Sequence, residues 1–252
     1  IRLIMYLIGD IGNSEIKICI FTTGFTMIKK ITLKTNLISD IYLFKKLNFL
    51  NNKKYNCKKI LFCSVVPSAF KKINLFLRKI IKSKSKELKD FNLEKIIKIK
   101  VNKKQIGSDR LANAISVMDN KSNYIILDFG TATTFDVVVK NQYLGGVIAP
   151  GVKLSLNTLV SKASLIPSIN LSKIRNVIGK NTKTAVKSGF YWGYAGLIDN
   201  IIKLIMKQTG IKFKIVFTGG LAHLFKNSIN KKVIVDKDLT INGIIKVSKK
   251  FK

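Results

Sequence analysis

The run Leu127-Asp128-Phe129-Gly130-Thr131-Ala132-Thr133-Thr134-Phe135-Asp136 decides the fold. An apolar strand ends in an aspartate, a glycine permits a tight turn, and a threonine-rich, β-favouring strand leads away. Toward the N-terminus the same grammar occurs once more, in Asp10-Ile11-Gly12-Asn13-Ser14-Glu15-Ile16-Lys17. There, residues 5–11 and 15–21 read as strands around a Gly-Asn turn, with a third strand at 26–33. Around Asp128 the matching strands are 124–129, 133–139 and 143–148. The chain therefore reads as doubled, with halves at 1–120 and 121–252 and a boundary near residues 119–121.

Other elements follow from periodicity and punctuation. Helical spacing predicts helices at 40–47, 69–82, 110–118, 184–208 and 239–249. Ser108 or Asp109 is placed to cap the third, and Gly210 ends the fourth. Strands are expected at 59–66, 95–101 and 211–217, and a charged, serine-containing loop at 82–90.

Composition narrows the function classes. The chain has 252 residues, 47% of them hydrophobic, which suits a globular protein. No apolar run reaches the roughly 20 residues of a membrane-spanning helix. The first residues are too short for a secretion signal, Met5 is a candidate natural start, and a cytoplasmic location is expected. The three cysteines, Cys19, Cys57 and Cys63, form no Cys-x-x-Cys pair, so neither a disulfide framework nor a zinc site is suggested. His223 is the only histidine, which argues against a histidine-based metal site or triad. Lys and Arg number 46 against 13 acidic residues, a net charge of +33. Only Arg2, Arg78, Arg110 and Arg175 are arginines, and base readout favours Arg. The lysines are spread along a chain also rich in Ile and Asn. That pattern speaks for a solvated surface that captures anions, and against a nucleic-acid role.

Chemistry is carried by five short motifs. The hairpin turn after Asp10 presents successive backbone N–H groups to phosphate oxygens, and Gly12 admits their close approach. An aspartate at a strand end can hold a hydrated divalent cation against those phosphates. Thr131, Thr133 and Thr134 add uncharged hydroxyl donors beside Asp128. Gly107-Ser108-Asp109-Arg110 places a proton-accepting carboxylate next to a two-pronged anion binder, as a phosphoryl acceptor site needs. Gly145-Gly146-Val147-Ile148-Ala149-Pro150-Gly151 makes a glycine-lined corner, and Thr218-Gly219-Gly220 lets a flat ring lie on backbone. Each motif alone also fits an ordinary turn or helix cap. No Gly-x-x-x-x-Gly-Lys-Ser/Thr loop occurs.

Taken in order, these elements resemble the type III pantothenate kinases, of the actin/hexokinase/Hsp70-like superfamily. Asp10-x-Gly12-Asn13-Ser14, Ser64-Val65-Val66-Pro67, Gly107-x-Asp109-Arg110, Asp128-Phe129-Gly130-Thr131-Ala132-Thr133-Thr134, Gly145-Gly146-x-Ile148-x-Pro150-Gly151, Gly179-Lys180-Asn181-Thr182, Ser188-Gly189 and Thr218-Gly219-Gly220 carry the likeness. The resemblance implies an α/β fold of two similar ribonuclease H-like (actin-like ATPase) halves, with mixed sheets and a cleft between them. It implies ATP-dependent phosphorylation of pantothenate at the head of coenzyme A biosynthesis. By the same resemblance, Asp10, Ile11, Gly12, Asn13, Ser14, Glu15, Ile16, Lys17 and Thr131 would contact ATP. Asp109 would be the general base. Gly107, Ser108, Asp109, Arg110 and Thr182 would hold pantothenate, with Thr182 reaching it across a homodimer interface. Asp128 would bind a monovalent cation, K⁺ or NH₄⁺, and Asp10 is a candidate for the Mg²⁺ that accompanies ATP. Two positions depart from the family: Ser14 stands where threonine is usual, and Lys100 where many members carry a substrate-contacting tyrosine. Two other readings stay open on the same fold, a regulatory protein associated with gene expression and another kinase or phosphatase of the superfamily.

Overall fold

The central strand of each half is apolar along most of its length, because helices or loops cover both its faces. A computed structural model describes residues 3–52 and 55–251. Residues up to Val117 and from Leu239 onward form one unit, and Met118–Asp238 form the other.

The first unit begins with a meander of three antiparallel strands, β1 (Leu3–Ile11), β2 (Glu15–Thr22) and β3 (Met27–Lys34). After helix α1 (Asp40–Leu47), strand β4 (Tyr55–Ser64) returns parallel to β1. Helix α2 (Pro67–Ile81) leads to the short β5 (Lys86–Glu87), which lies parallel to β4. The sheet order is β3-β2-β1-β4-β5. In α2, proline at the first position supplies a ready-made φ, and Lys82 caps the end in the left-handed region with φ 58°. Edge strand β3 exposes Lys29, Lys30 and Lys34, whose charges discourage pairing with another chain. Beyond a two-residue strand, β6 (Lys98–Ile99), comes helix α3 (Ser108–Val117).

The second unit repeats the plan. Strands β7 (Asn123–Phe129), β8 (Ala132–Val139) and β9 (Gln142–Pro150) form an antiparallel meander. Helices α4 (Val152–Lys162) and α5 (Thr182–Thr209) precede β10 (Lys214–Gly219), which lies parallel to β7. Helix α6 (Ala222–Phe225) connects to β11 (Val233–Val235), parallel to β10. Within this unit the strands run β9-β8-β7-β10-β11, matching the order of the first sheet. Each unit has its own core. Leu7, Ile11, Ile18, Phe62 and Ile73 are central to one. Ile125, Leu127, Phe135, Phe217 and Ile202 are central to the other.

The two-unit, mixed-sheet α/β architecture is as the sequence implies, and several details differ. The last helix, α7 (Leu239–Lys250), belongs to the first unit instead of the 121–252 half. Its Gly243 lies so close to α3 that a Cβ there would come 1.9 Å from the Ala112 carbonyl oxygen. Thr240 Oγ1 donates to Asn113 Oδ1 at 2.8 Å, and Lys59 Nζ donates to the Ser248 and Phe251 carbonyls that end the helix. Helix α4, to which no range was assigned, follows the glycine corner. The Gly145–Pro150 corner continues as strand, and the helix starts only after Gly151. Residues 82–90 are not a plain loop but hold β5 and a 3₁₀ turn, Leu88–Asp90, closed by reciprocal Glu87–Asp90 capping.

Cys19, Cys57 and Cys63 are free and buried. Burial pushes the Cys57 thiol up to about 12 and Cys63 well above its ordinary value. A thiol-titrating disulfide reagent is therefore expected to find no fast-reacting cysteine in the native protein and three after denaturation. A fast native thiol would contradict this packing.

Candidate active site

In the first unit, the hairpin between β1 and β2 is closed by Gly12 N donating to the Glu15 carbonyl at 3.0 Å. A Cβ at Gly12 would sit 3.1 Å from that same oxygen, so glycine suits the turn. Thr35 Oγ1 donates to the Gly12 carbonyl at 2.8 Å, and Thr35 N to the Ser14 carbonyl at 3.1 Å, which fixes the turn from outside. Asn13, Ser14 and Glu15 are exposed at its tip, while Asp10, Gly12 and Lys17 are half-buried. Ile11 and Ile16 are fully buried, so only their main chain is free to meet a ligand.

Asp10 pairs with Lys17 on one side and with Cys63 on the other. Just beyond, Val65 N donates to the Ile11 carbonyl at 3.0 Å. The Ser64-Val65-Val66-Pro67 segment thus lies beside the first hairpin. It also borders the third motif, because a Cβ at Gly107 would come 3.5 Å from Val65 Cγ1 and 2.3 Å from Asp109 Oδ1. Glycine at 107 is what lets the Asp109 carboxylate fold back over the loop.

Helix α3 begins at Ser108, so neither Ser108 nor Asp109 stands outside the helix as its cap. Leu111 N donates to the Gly107 carbonyl at 3.3 Å, and Asp109 Oδ1 accepts from Arg110 N at 2.7 Å. Burial raises the Asp109 pKa above its ordinary value. The Arg110 N–H, the Arg110 charge and the Lys89 charge oppose that rise. Asp10, Asp109 and Glu87 all lie near enough to Cys63 to raise its pKa, and Lys89 lowers it. The structure thus gathers the first and third motifs about one buried thiol, and adds Glu87 and Lys89. Those two residues were read as part of a charged, serine-containing loop, and no residue type or spacing there signals otherwise.

In the second unit, Asp128 is the last residue but one of β7, half-buried, opposite Thr134 on β8 and Thr218 on β10. Gly130 N donates to the Ala132 carbonyl at 3.0 Å to close the turn, with Thr131 exposed at its tip. The two later glycine motifs pack on this turn. Gly219, with φ +84°, would place a Cβ 2.6 Å from Asp128 Oδ1, and a Cβ at Gly151 would come 2.1 Å from the Thr131 carbonyl oxygen. Gly220 N donates to the Phe129 carbonyl at 3.2 Å. Thr182 lies apart in sequence, exposed, as the first residue of α5. That helix starts two residues earlier than expected because Asn181 Oδ1 accepts from Thr184 N at 3.0 Å.

The model of the type III pantothenate kinase family matches residues 6–204. A type III pantothenate kinase from Pelagibacter ubique is 59% identical over 97% of this chain and 98% of its own. This chain belongs to the type III pantothenate kinase family. A family member from Desulforapulum autotrophicum is 33% identical, over 95% of each chain. Among solved structures, a Campylobacter jejuni protein described as a Baf family transcriptional activator superposes with a TM-score of 0.60, covering 97% of this chain and 98% of its own. The Acidaminococcus fermentans (R)-2-hydroxyglutaryl-CoA dehydratase component A gives 0.56, covering 99% and 100%. Their identities, 21% and 13%, make these likenesses of fold alone.

Because burial raises the Asp109 pKa, the folded protein holds this proton more tightly than the unfolded chain. The carboxyl costs no stability where both states are protonated. Its cost grows as pH rises through the unfolded value of 3.8 and on through the higher folded value. Asp109→Asn is accordingly expected to melt at a higher temperature than the parent at neutral pH, with the gain shrinking as pH falls toward that value. An equal or lower melting temperature at neutral pH would refute the assignment of a costly buried carboxylate.

Proposed function

We propose that this protein transfers the γ-phosphoryl group of ATP to the primary alcohol of pantothenate, the first step of coenzyme A biosynthesis. The observation that carries this is the half-buried Asp109, with its raised pKa, beside Arg110 and gathered with the Asp10 hairpin. A carboxylate whose proton affinity is raised toward the working pH is a better acceptor for an alcohol proton.

In the reaction, Asp109 takes the hydroxyl proton as the alcohol oxygen forms a bond to the γ-phosphorus. The bond from that phosphorus to the β–γ bridging oxygen breaks, and ADP leaves with the electron pair. Gly107, Ser108 and Arg110 hold pantothenate, with Arg110 toward its carboxylate and Thr182 as a further contact. The hairpin from Asp10 to Lys17 offers backbone N–H groups to the ATP phosphates, through main chain alone at Ile11 and Ile16. Thr131 contributes from the second turn. Since the chemistry demands little covalent work of the protein, positioning and charge neutralisation supply most of the catalysis.

The residues fit the two cations that ATP chemistry of this kind uses. Each turn offers an aspartate among oxygen donors, which suits Mg²⁺, an ion that keeps several waters and takes phosphate oxygens. Asp10 would hold it, and when bound it neutralises phosphate charge. At the second turn Thr134, directly opposite Asp128 in register and hence on its face of the sheet, has a buried hydroxyl oxygen with no hydrogen-bond partner among the described residues. Asp128 with such neutral oxygens suits a monovalent cation, K⁺ or NH₄⁺. A homodimer with Thr182 serving the partner's substrate, and action in the cytoplasm, complete the proposal.

The test is ADP release with Mg-ATP, with and without pantothenate, in potassium or ammonium against sodium alone. Turnover is expected only with pantothenate and to require the larger cation. Asp109→Asn is expected to lower it by ~10²–10⁴-fold with the fold intact. A folded protein without pantothenate-dependent turnover would refute the reading, and an Asp109→Asn enzyme with parental turnover would remove that residue from its role.

A further inference from the structure

Glu87 and Lys89 have so far only been located. Glu87 sits where β5 meets the Leu88–Asp90 turn, and both of its carboxylate oxygens are used. Oε1 accepts from Ser64 N at 3.2 Å, and Oε2 accepts from Lys89 N at 2.6 Å. Glu87 N in turn donates to Asp90 Oδ2 at 2.8 Å, and Leu88 is fully buried beneath the turn. The turn is thereby fastened to the end of β4, next to the Ser64–Val66 segment. From this anchored backbone the Lys89 side chain reaches forward, and its ammonium donates to the Ile106 carbonyl. Ile106 immediately precedes Gly107, on which the Asp109 carboxylate folds back.

We infer that Lys89 is a positioning residue for the Asp109 loop: the Glu87 turn holds its backbone, and its ammonium clasps the Ile106 carbonyl. The clasp fixes the segment from which Asp109 and Arg110 project. This deepens the proposed function and rests on Asp109 being the proton acceptor. The charge has a second effect in the same place. Asp109 faces Arg110 of its own helix and Lys89 of the turn, while Asp10, Glu87 and Asp109 surround Cys63. From outside α3, the Lys89 charge lowers the pKa of both Asp109 and Cys63. A neutral side chain of similar length would keep the packing and lose both the clasp and the charge. Arginine would keep both, since a guanidinium also donates to carbonyl oxygen.

The experiment compares Lys89→Met and Lys89→Arg with the parent in the full chain. Two readouts are taken: amide hydrogen exchange over residues 106–111, and kcat and KM for ATP and pantothenate. Lys89→Met is expected to exchange faster in that segment, with the rest of the first unit unchanged. Its kcat is expected to fall by ~10–100-fold, the scale for a misplaced reacting group, with KM for ATP held. Lys89→Arg is expected to restore the parental exchange and most of kcat. Parental exchange at 106–111 in Lys89→Met would overturn the clasp. So would an increase in exchange spread evenly over the unit, or a loss that arginine fails to rescue. Faster local exchange with parental kcat would overturn the positioning role, while parental turnover in Asp109→Asn would instead overturn the proposed function on which it rests. If Lys89→Met does not fold, the arginine variant together with Glu87→Gln, which unfastens the turn but leaves the ammonium, carries the same comparison.

Discussion

A strand buried on both faces can carry polar chemistry only where it ends. In both units the central strand, β1 or β7, is bracketed by an antiparallel neighbour on one side and a parallel one on the other. Most of its side chains are buried. The aspartate that closes it is half-buried, and the turn that follows must leave main-chain N–H groups pointing away from the sheet. The remaining features of the site are consequences of that constraint. Parallel strands β4 and β10 bring their own ends to the same edge. Ser64–Val66 therefore arrives beside Ile11, and Thr218–Gly220 arrives beside Asp128 and Phe129.

Close packing at those strand ends explains why the motifs are glycine-rich. At Gly107, Gly151 and Gly219 a Cβ would meet a carboxylate or backbone oxygen well inside contact distance. Only at Gly219 does a positive φ add a second requirement. The glycines therefore serve the aspartates and threonines that precede or follow them. The corner at residues 145–151 and the late Thr-Gly-Gly segment, weak when read alone, are supports for the Asp128 turn.

Much of this was legible in the sequence because it is local. Hairpins, helix periodicity and a capping residue such as Gly210 act over a few residues, and the doubled Asp-x-Gly grammar disclosed the doubled fold. What escaped reading is non-local. Helix α7 follows the second unit in sequence, and its place on the first is set by non-local contacts: the bare backbone of Gly243 against Ala112, Thr240 on Asn113 and Lys59 on the helix end. Helix α4 was hidden because Ile148, Ala149 and Pro150 continue the strand through the glycine corner. The onset of α3 was misjudged by two residues because the Asp109 carboxylate turns onto Gly107 and Arg110 N, within the first turn. The Glu87–Lys89 turn was hidden most completely. Its lysine has the same chemistry as dozens of others, and only its reach to Ile106 sets it apart.

The charge of +33 sharpens that last point. Exposed lysines attract anionic ligands at long range, yet salt screens them and each contributes little to holding any one geometry. The ion pairs seen at Lys79–Asp40 and Lys103–Glu94 join side chains that stay at least half exposed, so they hold little structure in place. A lysine orders its surroundings only when its backbone is fixed and its ammonium has a specific acceptor, because then the entropy of a flexible side chain is spent on one contact. Lys59, which closes the end of α7 through two carbonyls, meets that condition for the fold. Lys89 meets it for the loop that carries Asp109. A general positive field can bring an anionic ligand to such a surface, but the placing of one carboxylate depends on contacts of this second kind.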